Sequence, residues 1–153
     1  MQLNPYLLFN GQCEAAFKLY EEILGGEIVA MITHAGTPAE TQVPPEWRAK
    51  IMHARLIVGE QVLMGSDAPP AHFQPPQGFS VSIGVDQPED AERIFKALAE
   101  SGTVKMPLQK TFWAIRFGML VDLTCRSTAP VANSKVRQAK RLPYNQTIRF
   151  PRT

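Results

Sequence analysis

The side chains of this sequence best suited to chemistry are three histidines and two cysteines, of which His53 has the most informative surroundings. His53 and Arg55 alternate along a strand-like segment with residues of the opposite character. The alternating apolar residues are Met52, Ala54, Leu56 and Val58. Because that apolar set should face a helix, we expect His53 and Arg55 on the side of the sheet that lines a pocket. A hydrogen-bonded structural histidine at a sheet edge or dimer seam is an equally good interpretation.

The remaining titratable candidates give no recognisable nucleophile. Cys13 stands at the start of a predicted helix, where the helix dipole can lower a thiol pKa. Without an identified base partner, a buried or incidental thiol is the favoured interpretation of Cys13. His34 ends a strand and His72 lies in a proline-rich loop, so both are expected to be solvated. Asp67 is expected to cap the loop that follows it.

A second alternating segment gives one strongly apolar and aromatic face. Its members are Trp113, Ile115, Phe117, Met119 and Val121. Arg116 falls on the other face and is expected to be a surface charge. A concave apolar site with a few polar groups is typical of small-molecule pockets, whereas each aromatic residue taken alone is more often part of the core. The candidate ligand-binding residues are His53, Arg55, Met64, Ser66, Ser80, Trp113, Phe117 and Met119.

The elements that must position these residues follow one order twice. The first half predicts strands over Leu3–Phe9, Glu27–His34, Ile51–Val58 and Gln61–Ser66, with a helix over about 12–24 and a hairpin at Gly59-Glu60. The second half predicts a strand over Gly78–Val85, a helix capped by Asp86 and ending near Gly102, and strands over Thr103–Met106 and Phe112–Val121. A shift of 75 residues aligns the two helices without a gap, matching Tyr20 with Phe95 and Ile23 with Leu98. This repetition predicts a duplicated βαβββ unit.

A duplicated module of this size resembles the vicinal-oxygen-chelate fold of the glyoxalase, bleomycin-resistance and extradiol dioxygenase superfamily. Four segments are similar to its PhnB-like branch: Asn4-Pro5-Tyr6-Leu7, Met52-His53-Ala54-Arg55-Leu56, Gly65-Ser66-Asp67-Ala68-Pro69-Pro70 and Thr111-Phe112-Trp113. The resemblance implies an α+β fold in which two tandem βαβββ modules, about 1–67 and 78–122, form a curved mixed sheet around a cleft, with the helices on the convex side. It also implies a homodimer that sequesters a small molecule.

Many members of that branch carry the label 3-demethylubiquinone methyltransferase, which this sequence does not support. A nucleotide-type methyl donor usually needs a glycine-rich turn between a strand and a helix. Here the only paired glycines, Gly25-Gly26, follow a helix instead.

The resemblance also locates where metal ligands would lie, on the first and last strands of each module. Alignment of the two helices puts Pro5 and Ser80 at the first-strand positions, and Val62 or Met64 at the last strand of the first module. After Asp122 the chain has no Asp, Glu or His. Divalent cations prefer nitrogen and oxygen ligands from such residues. We therefore expect no metal and no other cofactor.

Charge divides the chain at Asp122. All 14 acidic residues and 9 of the 16 basic residues lie within residues 1–122, so the net charge of this part of the chain is 9 − 14 = −5. The remaining 31 residues carry 16 − 9 = 7 basic residues and no acid. Three interpretations of this basic divergent tail, residues 123–153, remain open: a frame-shifted gene end, a genuine tail, or a tail in which Thr147–Phe150 supplies a replacement strand. We expect removal of residues 130–153 to leave stability nearly unchanged.

Three functional classes compete at this point. The first is a small-molecule-binding protein without metal, and the second a lyase or isomerase of the glyoxalase kind with an atypical metal site. The third is a protein that binds nucleic acid or an acidic partner through its tail, for which a solvated, disordered tail is the plainer alternative. The lack of an apolar run of roughly 18 residues and of a secretory signal indicates a cytoplasmic protein without a membrane partner.

Overall fold

The computed structural model describes residues 2–122 and 128–133. The first module comprises β1 Tyr6–Phe9, α1 Cys13–Leu24, β2 Glu27–Thr33, β3 Ile51–Val58 and β4 Gln61–Asp67, with short 3-10 helices at Pro38–Gln42 and Pro45–Trp47. The second comprises β5 Ile83–Val85, α2 Pro88–Ser101, β6 Thr103–Gln109, β7 Arg116–Val121 and β8 Thr128–Asn133. Within these described residues, neither α-helix is long and apolar enough to cross a membrane.

Each module forms a four-stranded mixed sheet with the same connectivity. The strand orders are β1-β4-β3-β2 and β5-β8-β7-β6. In each sheet the first and last strands of the module pair in parallel, and the other neighbours are antiparallel. The predicted α+β fold of two βαβββ modules is confirmed.

Each helix lies against its sheet at a strand glycine. A Cβ atom on Gly65 would come within 2.8 Å of Phe17 Cε2, and one on Gly118 within 2.6 Å of Phe95 Cε2. These distances are well inside van der Waals contact, so only a glycine leaves room for the ring. Phe17 and Phe95 are both buried in the hydrophobic core. In each sheet, a contact between one glycine and one phenylalanine thus identifies the side that faces the helix.

The helix ends show one correction to the sequence-based prediction. Helix α1 ends at Gly25, which has φ 71° and donates its N–H to the Glu21 carbonyl, as the paired glycines predicted. Helix α2 begins after Gln87 rather than Asp86, and its first residue is Pro88. Proline fits that position because the first N–H groups of a helix have no partner within the helix.

The two modules join through polar contacts between their helices and strands. The hydroxyl of Tyr20 on α1 donates a hydrogen bond to the carboxylate of Asp122, which follows β7. Arg93 on α2 donates from Nη1 to the Ile23 carbonyl of α1 at 2.8 Å. Both Tyr20 and Asp122 are buried, so this contact is part of the interior between the modules.

The last strand corrects the expectation for the tail. β8 lies within the segment that charge composition separated at Asp122, and it pairs with both β5 and β7. Val131 is 0% exposed and Asn133 is 1% exposed. Removing residues 130–153 would take these buried side chains out of the core, which argues against the expected lack of effect on stability. The alternative replacement strand, Thr147–Phe150, lies outside the described residues.

Candidate functional site

The open face of the first sheet, meaning the side opposite α1, carries four of the predicted site residues. On β3, Ala54 and Leu56 are buried in the core beneath α1, so His53 and Arg55 point the other way. On β4, Gly65 contacts the helix side, so Met64 and Ser66 share the open face. The open face therefore carries these predicted residues: His53, Arg55, Met64 and Ser66.

Tyr6 belongs to this face and was missed by the sequence interpretation. Its hydroxyl oxygen lies 3.3 Å from His53 Nδ1, and the two ring centroids are 5.9 Å apart. Since β4 separates β1 from β3, the Tyr6 side chain reaches across the strand between them. The signal was present in β1, where Leu7 and Phe9 are buried while Tyr6 remains 44% exposed. That alternation assigns Tyr6 to the open face.

Arg55 occupies the middle of the open face. It stands in register with Met64, which in turn is in register with Tyr6. Its Nε atom is buried and has no hydrogen-bond partner among the described residues. The ion pairs of those residues are Lys18–Glu14, Arg48–Glu40, Arg93–Asp90 and Arg116–Glu92. Arg55 belongs to none of them.

The open face of the second sheet, on the side opposite α2, carries the aromatic candidates. Gly118 and Leu120 face the helix, so Phe117 and Met119 point to the open side. The Trp113 ring meets Phe117 edge-on with centroids 5.7 Å apart, and Phe112 meets Trp113 at 4.3 Å. Trp113 remains 43% exposed and Phe112 is 96% exposed.

The structure brings the predicted residues together in two groups rather than one. Among the candidate site residues, the hydrogen bond and ring contacts join members of the same module: Tyr6 with His53, and Trp113 with Phe117. Ser80 belongs to neither group. It lines a groove of about 440 Å³ between the modules, together with Pro5 and Val62. A ligand-binding role for any of these residues remains a prediction.

Cys13 and Asp67 form a buried structural contact. Asp67 accepts hydrogen bonds from the backbone N–H of Cys13 and of Ile51, both at 2.9 Å. Asp67 therefore caps the start of α1 from across the module, not the loop that follows it. Burial, and then the charge of Asp67, raise the pKa of the Cys13 thiol to about 12. Complete burial and a raised pKa, which keeps the thiol protonated, support the buried-thiol interpretation of Cys13 over a dipole-activated one.

The other two histidines differ from each other. His34 is buried, and neither of its ring nitrogens has a hydrogen-bond partner among the described residues. The expectation that His34 is solvated is wrong, because its backbone N–H continues the pairing with the Lys50 carbonyl and holds the residue inside. His72 is exposed, as expected.

The positions predicted for metal ligands do come together, but their side chains do not suit a metal. Pro5, Val62 and Ser80 line the same groove, and of these three only Ser80 has a polar side-chain atom. Met64, the alternative position, offers a thioether rather than a nitrogen or oxygen donor. In residues 2–122 and 128–133, no three His, Cys, Asp or Glu side chains are grouped as a metal site requires. The donor set therefore does not fit a divalent cation.

Comparisons with known proteins agree on one family. The sequence profile of the family described as 3-demethylubiquinone-9 3-methyltransferase matches residues 1–123. Protein YjdN of Escherichia coli (strain K12) is 33% identical over 130 residues, which cover 80% of this chain and 88% of YjdN.

Solved structures agree with that match. Protein PA1353 from Pseudomonas aeruginosa is 46% identical and superimposes with a TM-score of 0.78 over 86% of this chain and 96% of its own. The PhnB protein from Bacillus cereus is 22% identical and has a TM-score of 0.72 over 86% of this chain and 98% of its own. The latter similarity supports the fold alone.

Proposed function

This chain belongs to the 3-demethylubiquinone-9 3-methyltransferase family, the PhnB-like branch of the glyoxalase/bleomycin-resistance superfamily, and we propose that it binds a small, partly apolar molecule without a metal ion. The observation that carries the proposal is the exposure of large side chains on the faces opposite the helices. Tyr6 and Trp113 are each more than two-fifths exposed, although both lie against other aromatic rings. Partly exposed aromatic residues beside a few polar groups are typical of ligand sites.

We further propose that binding is direct rather than metal-mediated. Support comes from the groove between the modules, where Pro5, Val62 and Ser80 stand at the positions that the resemblance gives to metal ligands. A proline and a valine supply no side-chain lone pair. His53 and Ser66 on the neighbouring open face supply polar contacts for the ligand itself.

The methyltransferase name of the family does not extend to a proposed reaction here. Gly25 and Gly26 end α1 and lead into β2, so they do not form the strand-to-helix turn that cradles a nucleotide. Cys13, the one described cysteine, is fully buried with a raised pKa, and the Asp67 carboxylate beside it accepts from its backbone N–H rather than from its thiol. Binding, rather than catalysis, is the function we propose.

A homodimer in the cytoplasm is the assembly that we propose for this binding. Each open face leaves large apolar side chains uncovered, including Leu8 and Ile32 on the first sheet. A second copy that covers both faces would bury that surface and enclose a ligand between the Tyr6–His53 pair and the Trp113–Phe117 pair. The free, buried thiol of Cys13 is consistent with a reducing compartment. The basic residues of the tail lie outside the described residues, so the nucleic-acid alternative finds no support among those described.

A thermal-shift screen of metabolites tests the proposed function, using protein treated with a chelator and then dialysed. A ligand that binds only the folded state raises Tm according to its concentration relative to Kd. We expect at least one hit whose shift is the same before and after chelation and is lost in Trp113→Ala. A hit whose shift disappears on chelation and returns with added zinc or manganese would instead support the metal-dependent alternative.

A further inference from the structure

We propose that Arg55, with His53 and Ser66 beside it, binds an anionic oxygen group of the ligand, either a carboxylate or a tetrahedral oxyanion. This inference rests on the proposed function and specifies which chemical class of molecule the open face of the first sheet accepts. It starts from a guanidinium group that forms no ion pair with any carboxylate in the described part of the chain.

The Arg55 guanidinium is incompletely paired among the described residues. Its Nε atom is buried without a hydrogen-bond acceptor, although a guanidinium has five N–H groups to donate. Leaving a buried donor on a charged group unsatisfied costs more free energy than leaving a neutral one unsatisfied. A ligand that supplies an acceptor at this point recovers that cost on binding.

The face around Arg55 is almost free of negative charge. Cross-strand register and alternation assign it the residues Tyr6, Leu8, Ala30, Ile32, His53, Ile57, Val62, Met64 and Ser66. Glu27 is the one described carboxylate in register with it, at the far end of β2 opposite Ile57. Glu27 makes no ion pair with Arg55 in the structure, whereas Arg116, the arginine of the second sheet, is neutralised by Glu92.

Two neighbouring groups complete a donor set. His53 and Arg55 are two residues apart on one strand, so their side chains emerge on the same side roughly 7 Å apart. When the Tyr6 hydroxyl donates to His53 Nδ1, the ring proton lies on Nε2, which then is available as a second donor. The Ser66 hydroxyl lies on the adjacent strand of the same face. An oxyanion between Arg55 and His53 can accept from both, and charge-assisted hydrogen bonds of this kind are stronger than neutral ones.

The ligand class follows from the combination of donors and apolar surroundings. Tyr6, Leu8 and Met64 flank the polar group, so the anion should be attached to an apolar or aromatic body rather than be a free inorganic ion. Benzoate and phenylphosphonate are suitable probes because they present a planar and a tetrahedral oxyanion on the same ring. Benzamide is the matched neutral probe.

The test is a titration of the full chain with these three probes, followed by nuclear magnetic resonance of the arginine Nε–H groups. The variants are Arg55→Gln, Arg55→Lys and Arg116→Gln, the last being the control for loss of a positive charge on the opposite face of a sheet. We expect benzoate or phenylphosphonate to shift the Arg55 signal and to bind at least about tenfold more weakly to Arg55→Gln. Arg55→Lys should retain part of the affinity, and Arg116→Gln should behave as the unmodified chain.

Other outcomes separate this inference from the proposed function. Equal binding of benzamide and benzoate, unaffected by Arg55→Gln, overturns the anion site but leaves small-molecule binding intact. Loss of benzoate binding in Arg116→Gln as well as in Arg55→Gln also overturns it, because the effect would then be general attraction by charge. If no anionic probe binds the unmodified chain, the anion site is wrong, and the metabolite screen alone decides the proposed function. Tighter binding of benzoate would identify a planar carboxylate as the ligand's anionic group, and tighter binding of phenylphosphonate a tetrahedral oxyanion.

Discussion

Arg116 Nε lies 2.6 Å from Glu92 Oε1, which attaches the first residue of β7 to the outer surface of α2. Because side chains alternate along a strand, this contact directs Arg116 to the helix side and Phe117 to the open side. The assignment of Phe117 to the open face therefore rests on the Arg116–Glu92 ion pair as well as on the burial of Leu120. Both partners are partly exposed, so the pair itself contributes little stability.

The contact between Gly118 and Phe95 predicts a strong effect of a single methyl group. Gly118→Ala would place a Cβ atom 2.6 Å from the Phe95 ring and 3.1 Å from Leu108 Cα. We expect a loss of about 1–3 kcal/mol in the free energy of unfolding, the usual cost of overpacking a core. Gly84→Ala is the control, since a Cβ there meets nothing within 4 Å. Urea denaturation of both variants checks this, and equal stability of the two would contradict the packing described.

Truncation at two sites separates β8 from the rest of the tail. A stop after Ala129 removes Pro130–Asn133 and with it the buried Val131 and Asn133 side chains. We expect a loss of several kcal/mol or failure to fold, and about 2 kcal/mol for the milder Val131→Ala. A stop after Asn133 keeps every residue of β8 and is the matched control against which the loss is measured. A chain ending at Ala129 that melts like the full chain would show that β8 does not contribute to the core.

Cys13 should make stability depend on alkaline pH. Burial raises the pKa of the folded Cys13 thiol to about 12, above its ordinary value of 9.0, so the folded chain retains a proton that the unfolded chain releases. Its contribution to stability is complete below pH 9.0 and is lost as pH rises toward about 12. Unfolding free energies are compared at about pH 8 and about pH 10.5 in Cys125→Ser, with and without Cys13→Ala. We expect the larger alkaline loss when Cys13 is present; identical losses would refute the raised pKa.

Sequence periodicity was sufficient to predict the helices, the β3–β4 hairpin and the side-chain parity of β3, β4 and β7. The strands predicted over Phe112–Val121 and Gly78–Val85 were too long, because β7 begins at Arg116 and β5 at Ile83. Each of these elements has a buried side that is regular over several residues, as in Ala54 and Leu56 or Gly118 and Leu120. Tyr6 was missed because it comes from a strand of only four residues, where alternation is short. Its partner His53 lies 47 residues away in the chain.

The last strand was beyond sequence interpretation for a different reason. β8 contains Pro130 and mostly small side chains, so its apolar alternation is weak. Pro130 is in register with Met119 on the open side, while Val131 and Asn133 face inward. Asn133 donates from Nδ2 to the Val85 carbonyl at 3.1 Å, a role for a polar residue that only the parallel pairing of β5 with β8 reveals.

The most direct test of the account is a calorimetric titration of a ligand from the metabolite screen into four proteins. They are the unmodified chain, the same chain after chelation, Trp113→Ala and Arg116→Ala. An aromatic contact contributes roughly 0.5–1.5 kcal/mol beyond the area it buries. We therefore predict the same Kd before and after chelation, a Kd at least about tenfold weaker for Trp113→Ala, and little change for Arg116→Ala. Binding that vanishes on chelation, or that survives Trp113→Ala but not Arg116→Ala, would contradict metal-free binding at the open faces.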